Sequence, residues 1–470
     1  MGSERASRYA VGFRSLLDED FGTPLAPSGV VPDSIVGSLY CVGPARFEID
    51  HHSVDHWLDG FAAVSSVEFA GHGTTYRHRF VASNWYRQAL MDGTPPSGGF
   101  VSRQSRLRRL PANDNTNLNI VPWKGLLELL GNAPQSIVVD ATTLATVRTQ
   151  RRTGVTLGVG RPCACPPHPV IDHNTGERYD LLLSSRDPAG YVVMVTDVTG
   201  KTRRLCRIPS GRLGYMHSFS VTASCIVLVE SPFTARPRSL ASLRRSYLRN
   251  FVWDAARGTR IFIADRRTGV LKAVMTTRPL FALHHINAWD EGDQIVIDLA
   301  AYPDPSVLAK LTFNHGDMPS IDLPCPQATR LTIDQARKHV SCAPLPCPSG
   351  EFCVPDARYA MHPYAVLFMA GSTRPGEPID RLCRWETGTG MTACWSSDNC
   401  LPGAPAFIPV SADAPQGAGW LLSFVLDVQA KQSFLLILDA TTMTEQGRLW
   451  LPHALPFGLH TVFVPGEATA

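Results

Sequence analysis

Residues 261–274 read IFIADRRTGVLKAV, and that stretch decides the fold. A short apolar run comes first, a polar turn containing Asp265 and Gly269 follows, and a second run returns. Runs of this kind bounded by Asp and Gly read as antiparallel hairpins. The plan recurs along the chain. VEFAGHGTTYRHRF (67–80) turns near Ala70, IVVDATTLATV (137–147) at Asp140 and VVMVTDVTGKTRRL (192–205) at Asp197. AKLTFNHGDMPSI (309–321) turns near Asn314, LCRWETGTGMTACW (382–395) at Glu386 and FLLILDATTMTEQGRL (434–449) at Asp439. Successive turns stand 70, 57, 68, 49, 72 and 53 residues apart. A strand-rich unit of that size has the length of a four-stranded blade with long loops. Seven such units predict an all-β chain folded as a seven-bladed β-propeller, a ring that leaves no long sheet edge bare. Two β-sandwiches with similar hairpins are the alternative that spacing leaves open. Helical periodicity is confined to KGLLELLGN (124–132) and RSLASLRRSYLRNFVWD (238–254).

Composition agrees with a globular chain. Of 470 residues, 44% are apolar and 18% charged, which excludes a disordered or fibrous protein. Lys plus Arg is 44 against 41 for Asp plus Glu, too even for a nucleic-acid partner. The 37 Gly and 37 Pro suit many tight turns. The first residues, MGSERASRYAVGF, lack the apolar core of a signal peptide, and no apolar run reaches the ~18 residues of a membrane span. Seven of the 12 cysteines fall between Cys325 and Cys400 with no CxxC pair. The expectation is mostly reduced thiols in a cytoplasmic protein.

Four histidines occupy one place in the repeat. His168 follows the turn at Asp140 by 28 residues, His217 follows Asp197 by 20, His284 follows Asp265 by 19 and His460 follows Asp439 by 21. Inner strands of a propeller line its axis, so side chains at like positions converge there. Four imidazoles at one point make a metal site, and nitrogen donors suit iron, copper, nickel or zinc. An octahedral ion held by four imidazoles keeps two positions open, which suits Fe(II) and O₂, whereas zinc favours a closed tetrahedron. Any single one of the 15 histidines is more often structural. His339 competes on spacing but sits in the polar DQARKHVSC. His285 adjoins His284, and strand alternation points only one of the two inward. The pairs His51/His52 and His72/His78 fall near turns and read as solvated.

Around these histidines the strings become familiar. They are GSLYCVGP (37–44), HWLDGFA (56–62), NTNLNIV (115–121), PHPVID (167–172) and YMHSFSVT (215–222). FVWDAARGTRIFIADRRTG (251–269), HHINAWDEGDQIVIDL (284–299) and PFGLHTVFVP (456–465) complete the set. In that order the chain resembles the carotenoid cleavage oxygenases, a family that includes apocarotenoid oxygenases, stilbene oxygenases and a retinoid isomerase. The resemblance begins near Gly37. It implies an N-terminal extension at 1–36 and a single propeller domain over 37–470, with helices and loops capping the central site. It also implies Fe(II) held by His168, His217, His284 and His460, which selects His284 over His285. The reaction implied is cleavage of a C=C bond of a lipophilic polyene, a carotenoid or apocarotenoid, by O₂ to two carbonyl products. A binding protein weakened in catalysis, a stilbene cleaver and an isomerase are the alternatives.

Family members orient three of the ligands with glutamates, which fix ring orientation and raise basicity. Glu351, in GEFCVPD, matches one of them and is the site's expected carboxylate. A second is expected where Asn132 stands, with Glu128 four residues away, and a third in LPGAPAFIPV where Ala404 stands. An amide oxygen still accepts a hydrogen bond; a methyl does not. Cys41-Val42 replaces a frequent Arg-Asn. Gly131 stands where the stilbene branch tends to carry Lys, which argues against a phenolic stilbene. The stretch Thr234–Asp254 mixes Arg236, Arg238, Arg244, Arg245 and Arg249 with Leu240, Leu243, Tyr247, Leu248, Phe251 and Trp253. It reads equally as a peripheral membrane contact and as a surface segment packed on a blade. A second basic run, Arg103 to Arg109, reads as a solvated loop.

Overall fold

The structure, a computed structural model, describes residues 9–71, 73–101, 113–123, 125–152, 162–186, 188–241, 245–313, 322–374 and 376–466. Among them are seven antiparallel sheets of four or more strands, following one another along the chain. The first is built on Gly37–Arg46, Phe61–Ala70 and Gly73–Phe80, and the second on Asn119–Trp123, Leu126–Leu130, Gln135–Val139 and Thr146–Arg151. The third centres on Arg178–Ser184 and Gly190–Thr196, the fourth on Cys225–Glu230 and Thr259–Asp265. The fifth runs Phe281–Glu291, Gln294–Tyr302, Gln327–Asp334 and His339–Pro344. The sixth spans Gly350–Pro355 to Thr392–Ser396, and the seventh centres on Gly419–Asp427 and Gln432–Asp439.

The hairpins form where the sequence places them because the turn chemistry is local. Asp265 Oδ1 accepts from the backbone N–H groups of Arg267 (3.1 Å) and Thr268 (2.8 Å), and Gly269 turns the chain at φ 73°. Asp140 and Asp439 do the same with Thr142 and Thr143, and with Thr441 and Thr442. These are Asx turns, which compete well with further strand. The turns at Ala70, Asp197 and Glu386 also join paired strands. The turn near Asn314 does not follow the expectation. Ser306–Lys310 is a short helix, with Val307 and Leu308 buried, and 314–321 lie outside the described residues. The fifth sheet turns instead at Gly292 and Lys338, both at positive φ. KGLLELLGN is a strand at Leu126–Leu130, not a helix: Leu127 and Leu129 enter one core while Glu128 faces the other side.

Uninterrupted apolar runs arise because both faces of each sheet are covered. In Thr259–Asp265, Phe262 and Ala264 join the core shared by the third and fourth sheets, while Ile261 and Ile263 join that of the fourth and fifth. The strand period of two deals alternate residues to alternate cores. Truncating Ile263 to Ala is expected to cost about 2–5 kcal/mol. Shared cores also join the fifth and sixth, the sixth and seventh, the seventh and first, and the first and second sheets. The junction of the second and third is largely ionic. There Arg178 bridges Glu128 and Asp180, and Arg152 pairs with Asp180, all four buried.

The two ends of the chain interlock. His460–Pro465 pairs with Gly37–Arg46, with Val42 opposite His460. Asp20–Leu25 edges the first sheet, and Pro27–Gly29 pairs with Thr444–Trp450 in the seventh. The residues at 20–29 are therefore built into two sheets. Cys383 and Cys394, directly opposed on neighbouring strands, form a disulfide, and the other ten cysteines are free, where mostly reduced thiols were expected. No helix among the described residues is long and apolar enough to cross a membrane.

Candidate metal centre

Three of the four histidines sit at or just before the start of a strand, and the fourth lies within one. His168 precedes Val170–Ile171, His217 precedes Ser220–Val221 and His460 opens the last strand. His284 lies in Phe281–Glu291, where two register slips bracket His285. Bulges of this kind re-aim side chains. The slip separates the neighbouring rings: His285 Nδ1 meets Ser220 Oγ at 2.7 Å, while His284 turns to the centre.

The four rings converge. Each offers one nitrogen, and these lie within 4.8 Å of one another. Ring centroids of His168 stand 4.8, 5.0 and 4.5 Å from those of His217, His284 and His460. Nε2 of His284 and Nε2 of His460 are 3.1 Å apart. Burial, then the neighbouring rings, holds His168 well below the ordinary histidine range; the same order of causes applies to His217 and His460. They are neutral lone-pair donors at neutral pH. His168 Nε2 is buried with no hydrogen-bond partner among the described residues, a cost that a bound cation removes. An all-nitrogen set fits a first-row transition ion and not Mg²⁺ or Ca²⁺.

What stands behind the rings differs from one to the next. Glu351 Oε2 lies 2.9 Å from His284 Nδ1; its other oxygen accepts from the Tyr302 hydroxyl at 2.9 Å. A register slip after Glu351, with Phe352 at φ 50°, turns the carboxylate inward. His168 is held through its loop. Arg152 Nη1 donates to the carbonyls of Cys165 (3.0 Å) and Pro166 (2.7 Å), and the Asn119 amide donates to Pro167 O (2.9 Å) and lies 3.2 Å from His168 Nδ1. The three carbonyls before the ligand are thus all tied. Tyr302, Asn119 and Arg152 escaped the sequence reading. The signal in two of them was a buried polar side chain in an otherwise apolar strand.

At the positions where the sequence departs from the family, the structure shows the following. Asn132 Oδ1 and His217 Nδ1 are both buried without a hydrogen-bond partner among the described residues. Glu128 does not substitute, because Arg178, Ser136 and Gln150 claim its carboxylate. Ala404 is buried in the wall of the cavity beside the histidines. A Cβ on Gly131 would lie 2.6 Å from the Asn115 carbonyl, so this backbone admits no side chain there.

One cavity reaches the centre. Its lining includes His217, His284, His460 and Glu351 and is otherwise mostly apolar, with Trp57, Leu308, Phe352, Phe424 and Leu455 among its residues. His339 is exposed on an outer strand, as its setting suggested. His51 and His52 are exposed, and His72 lies outside the described residues. His78 departs from expectation: it is a strand residue, 2% exposed, in the cavity wall. In the 234–254 stretch, Leu240 and Phe251 are buried in the core and Tyr247, Leu248 and Trp253 pack against it, leaving Arg236, Arg238, Arg245 and Arg249 outside. Leu243, Arg244 and the 103–109 run lie outside the described residues.

A strand-rich scaffold that gathers four imidazoles beside an apolar cavity makes a site for a transition-metal ion. Residues 13–465 match the family model described as retinal pigment epithelial membrane protein, and the chain belongs to that family of carotenoid oxygenases. It is 25% identical over 488 residues to carotenoid cleavage dioxygenase 8 homolog A of Oryza sativa, covering 96% of this chain and 87% of that protein. It is 24% identical over 452 residues to the apocarotenoid-15,15'-oxygenase of Synechocystis, covering 92% and 91%. Cobalt-substituted Synechocystis apocarotenoid oxygenase has the same fold, with a TM-score of 0.87 at 22% identity over 98% of this chain and 99% of that one.

Proposed function

We propose that the protein is an Fe(II)-dependent dioxygenase that splits a C=C bond of a carotenoid or apocarotenoid with O₂, giving two carbonyl products. His168, His217, His284 and His460 are its metal ligands. The body is a seven-bladed propeller over 37–470, with the strands at 20–29 strapped across its closure. The observation that carries this is the convergence of four imidazoles at the end of an apolar cavity. Bound ferrous iron supplies the O₂-activating chemistry. Everything else falls to the chain: Glu351 accepts the His284 Nδ1–H and fixes that ring, the braced loop fixes His168, and the apolar wall excludes water from the polyene. Glu351 acts through His284 and is a positioning residue. The free thiols suit a reducing cytoplasm. Membrane contact through 234–254 rests on its exposed arginines alone, because the apolar side chains there turn inward.

The test is iron-loaded protein, a panel of carotenoids and apocarotenals, and O₂, with products followed by chromatography and mass. New aldehydes or ketones are expected; none across the panel overturns the reading. A second reading, a polyene-binding protein that turns over slowly, is favoured by the missing carboxylates at Asn132 and Ala404. It wins if activity appears only after both are changed to Glu. Labelled O₂ separates cleavage from isomerisation, which incorporates no label.

A further inference from the structure

The strand that carries His284 is bulged at the ligand itself. Ala282 pairs with Ala301 and His285 with Leu299, so two residues, Leu283 and His284, stand opposite one, Ala300. A bulge re-aims a side chain but disrupts the ladder, and a buried backbone group left unpaired is costly. One side chain meets the backbone on both sides of this bulge. Ser218 Oγ donates to the Leu283 carbonyl at 2.7 Å and accepts from the His285 N–H at 3.0 Å. A serine hydroxyl has one proton to give and lone pairs to receive, so the two bonds are compatible. They close on the residues immediately before and after His284.

Ser218 is itself the residue after His217, and it is buried. The His217 ring has no side-chain brace: its Nδ1 is buried without a hydrogen-bond partner among the described residues. Its chain is held instead. Two residues before the ligand, Tyr215 N–H donates to the Phe233 carbonyl at 2.9 Å. Three residues after it, Ser220 adds an outer stitch, its Oγ 2.7 Å from His285 Nδ1. The rings of His217 and His284, tied in this way, have centroids 5.1 Å apart. Leu283 lines the cavity, so the same hydroxyl also fixes a piece of the wall beside the centre.

We propose that Ser218 is a positioning residue of the metal centre. It locks the backbone at His217 to both neighbours of His284 and so sets the separation of those two ligands. This rests on reading the four histidines as one metal site. The fold supplies its own control. Thr259 makes the same two-way clamp on Leu280, donating to its carbonyl at 3.3 Å and accepting from its N–H at 3.0 Å, but that clamp closes on a residue that is not beside a ligand.

The test is cobalt(II) binding to the full-length metal-free protein, read by the visible spectrum and by competition with a chelator. S218A is expected to shift the cobalt bands and to weaken binding about tenfold, the scale for losing a group that orients a ligand. S218T, which keeps the hydroxyl, is expected to retain the wild-type spectrum. T259V removes the matching clamp on Leu280 and is expected to lower stability in urea without moving the bands. S220A cuts the outer stitch alone and is expected to shift the bands less than S218A; it carries the comparison with T259V if S218A does not fold. Wild-type bands in S218A, or in S220A where S218A does not fold, overturn the proposal while leaving the metal centre intact. An equal shift in S218A and T259V does the same, because it makes Ser218 a structural residue only. Wild type that binds no cobalt overturns the metal-site reading and the proposal with it.

Discussion

Glu351 Oε2 lies 2.9 Å from Nδ1 of His284, and among the described residues no other carboxylate meets any of the four converging rings. One ligand ring is therefore held by a carboxylate. Behind His168 stands the Asn119 amide, and His217 Nδ1 has no hydrogen-bond partner among the described residues. E351Q replaces an anionic acceptor with a neutral one and loosens the ring. Metal affinity, measured by competition with a chelator, is expected to fall about 10–100-fold. Y302F removes only the hydroxyl that holds the far oxygen, and its loss is expected to be smaller. Unchanged affinity in E351Q would mean that the carboxylate plays no part in holding the metal.

The complementary change adds what is missing. N132E and A404E place carboxylates where an amide and a methyl now stand. Each added anion also offsets part of the +2 charge that four neutral ligands leave uncompensated. The double variant is expected to bind iron about tenfold more tightly than wild type. A weaker metal site in a folded double variant would show that these side chains do not reach the rings.

How much of this was legible beforehand depends on how local the determinant is. Asp140, Asp265 and Asp439 make their turns with residues two and three positions on, so the hairpins could be read from strings. The four histidines recur 19 to 28 residues after such turns, which made their meeting predictable once a ring was assumed. KGLLELLGN misled because a Leu-rich strand covered on both faces has no period to read. AKLTF misled the other way, its alternation concealing a helix that ends at Lys310. Tyr302 and Arg152 were invisible because their partners, Glu351 and Asp180, lie 49 and 28 residues away. His78 looked solvated beside a turn, yet the strand carries it into the wall.

Arg152 gives a prediction of its own. Its guanidinium holds the carbonyls of Cys165 and Pro166 and pairs with Asp180 at 2.9 Å, with its side chain wholly buried. R152M leaves Asp180 short of a cation and releases the loop that carries His168. Stability is expected to drop about 3–5 kcal/mol. R330M, which strips the buried Asp298 of its cation in the fifth sheet, is the control for destabilisation alone. The visible spectrum of the cobalt-loaded protein should change in R152M and not in R330M. Identical spectra in the two would leave Arg152 a purely structural residue.

The last prediction concerns acid. His56 is 0% exposed, and both nitrogens are engaged in the neutral form: Nε2–H donates to Leu308 O at 2.8 Å and Nδ1 accepts from Leu58 N–H at 3.1 Å. Burial holds it down to about 4, the Leu308 carbonyl only partly opposing the shift. In the unfolded chain it titrates near 6.5. Above that pH both states are neutral and its contribution is complete. As pH falls from 6.5 toward 4 the unfolded state binds a proton that the folded state refuses, so stability is lost at about 1.4 kcal/mol per unit. H56Q removes this titration. The stability difference between wild type and H56Q, measured by urea unfolding of metal-free protein, should shrink by about 2 kcal/mol between pH 7.5 and 5.0. A difference constant across that range would mean that His56 titrates in the fold as it does in the unfolded chain, which its contact with Leu58 N–H opposes.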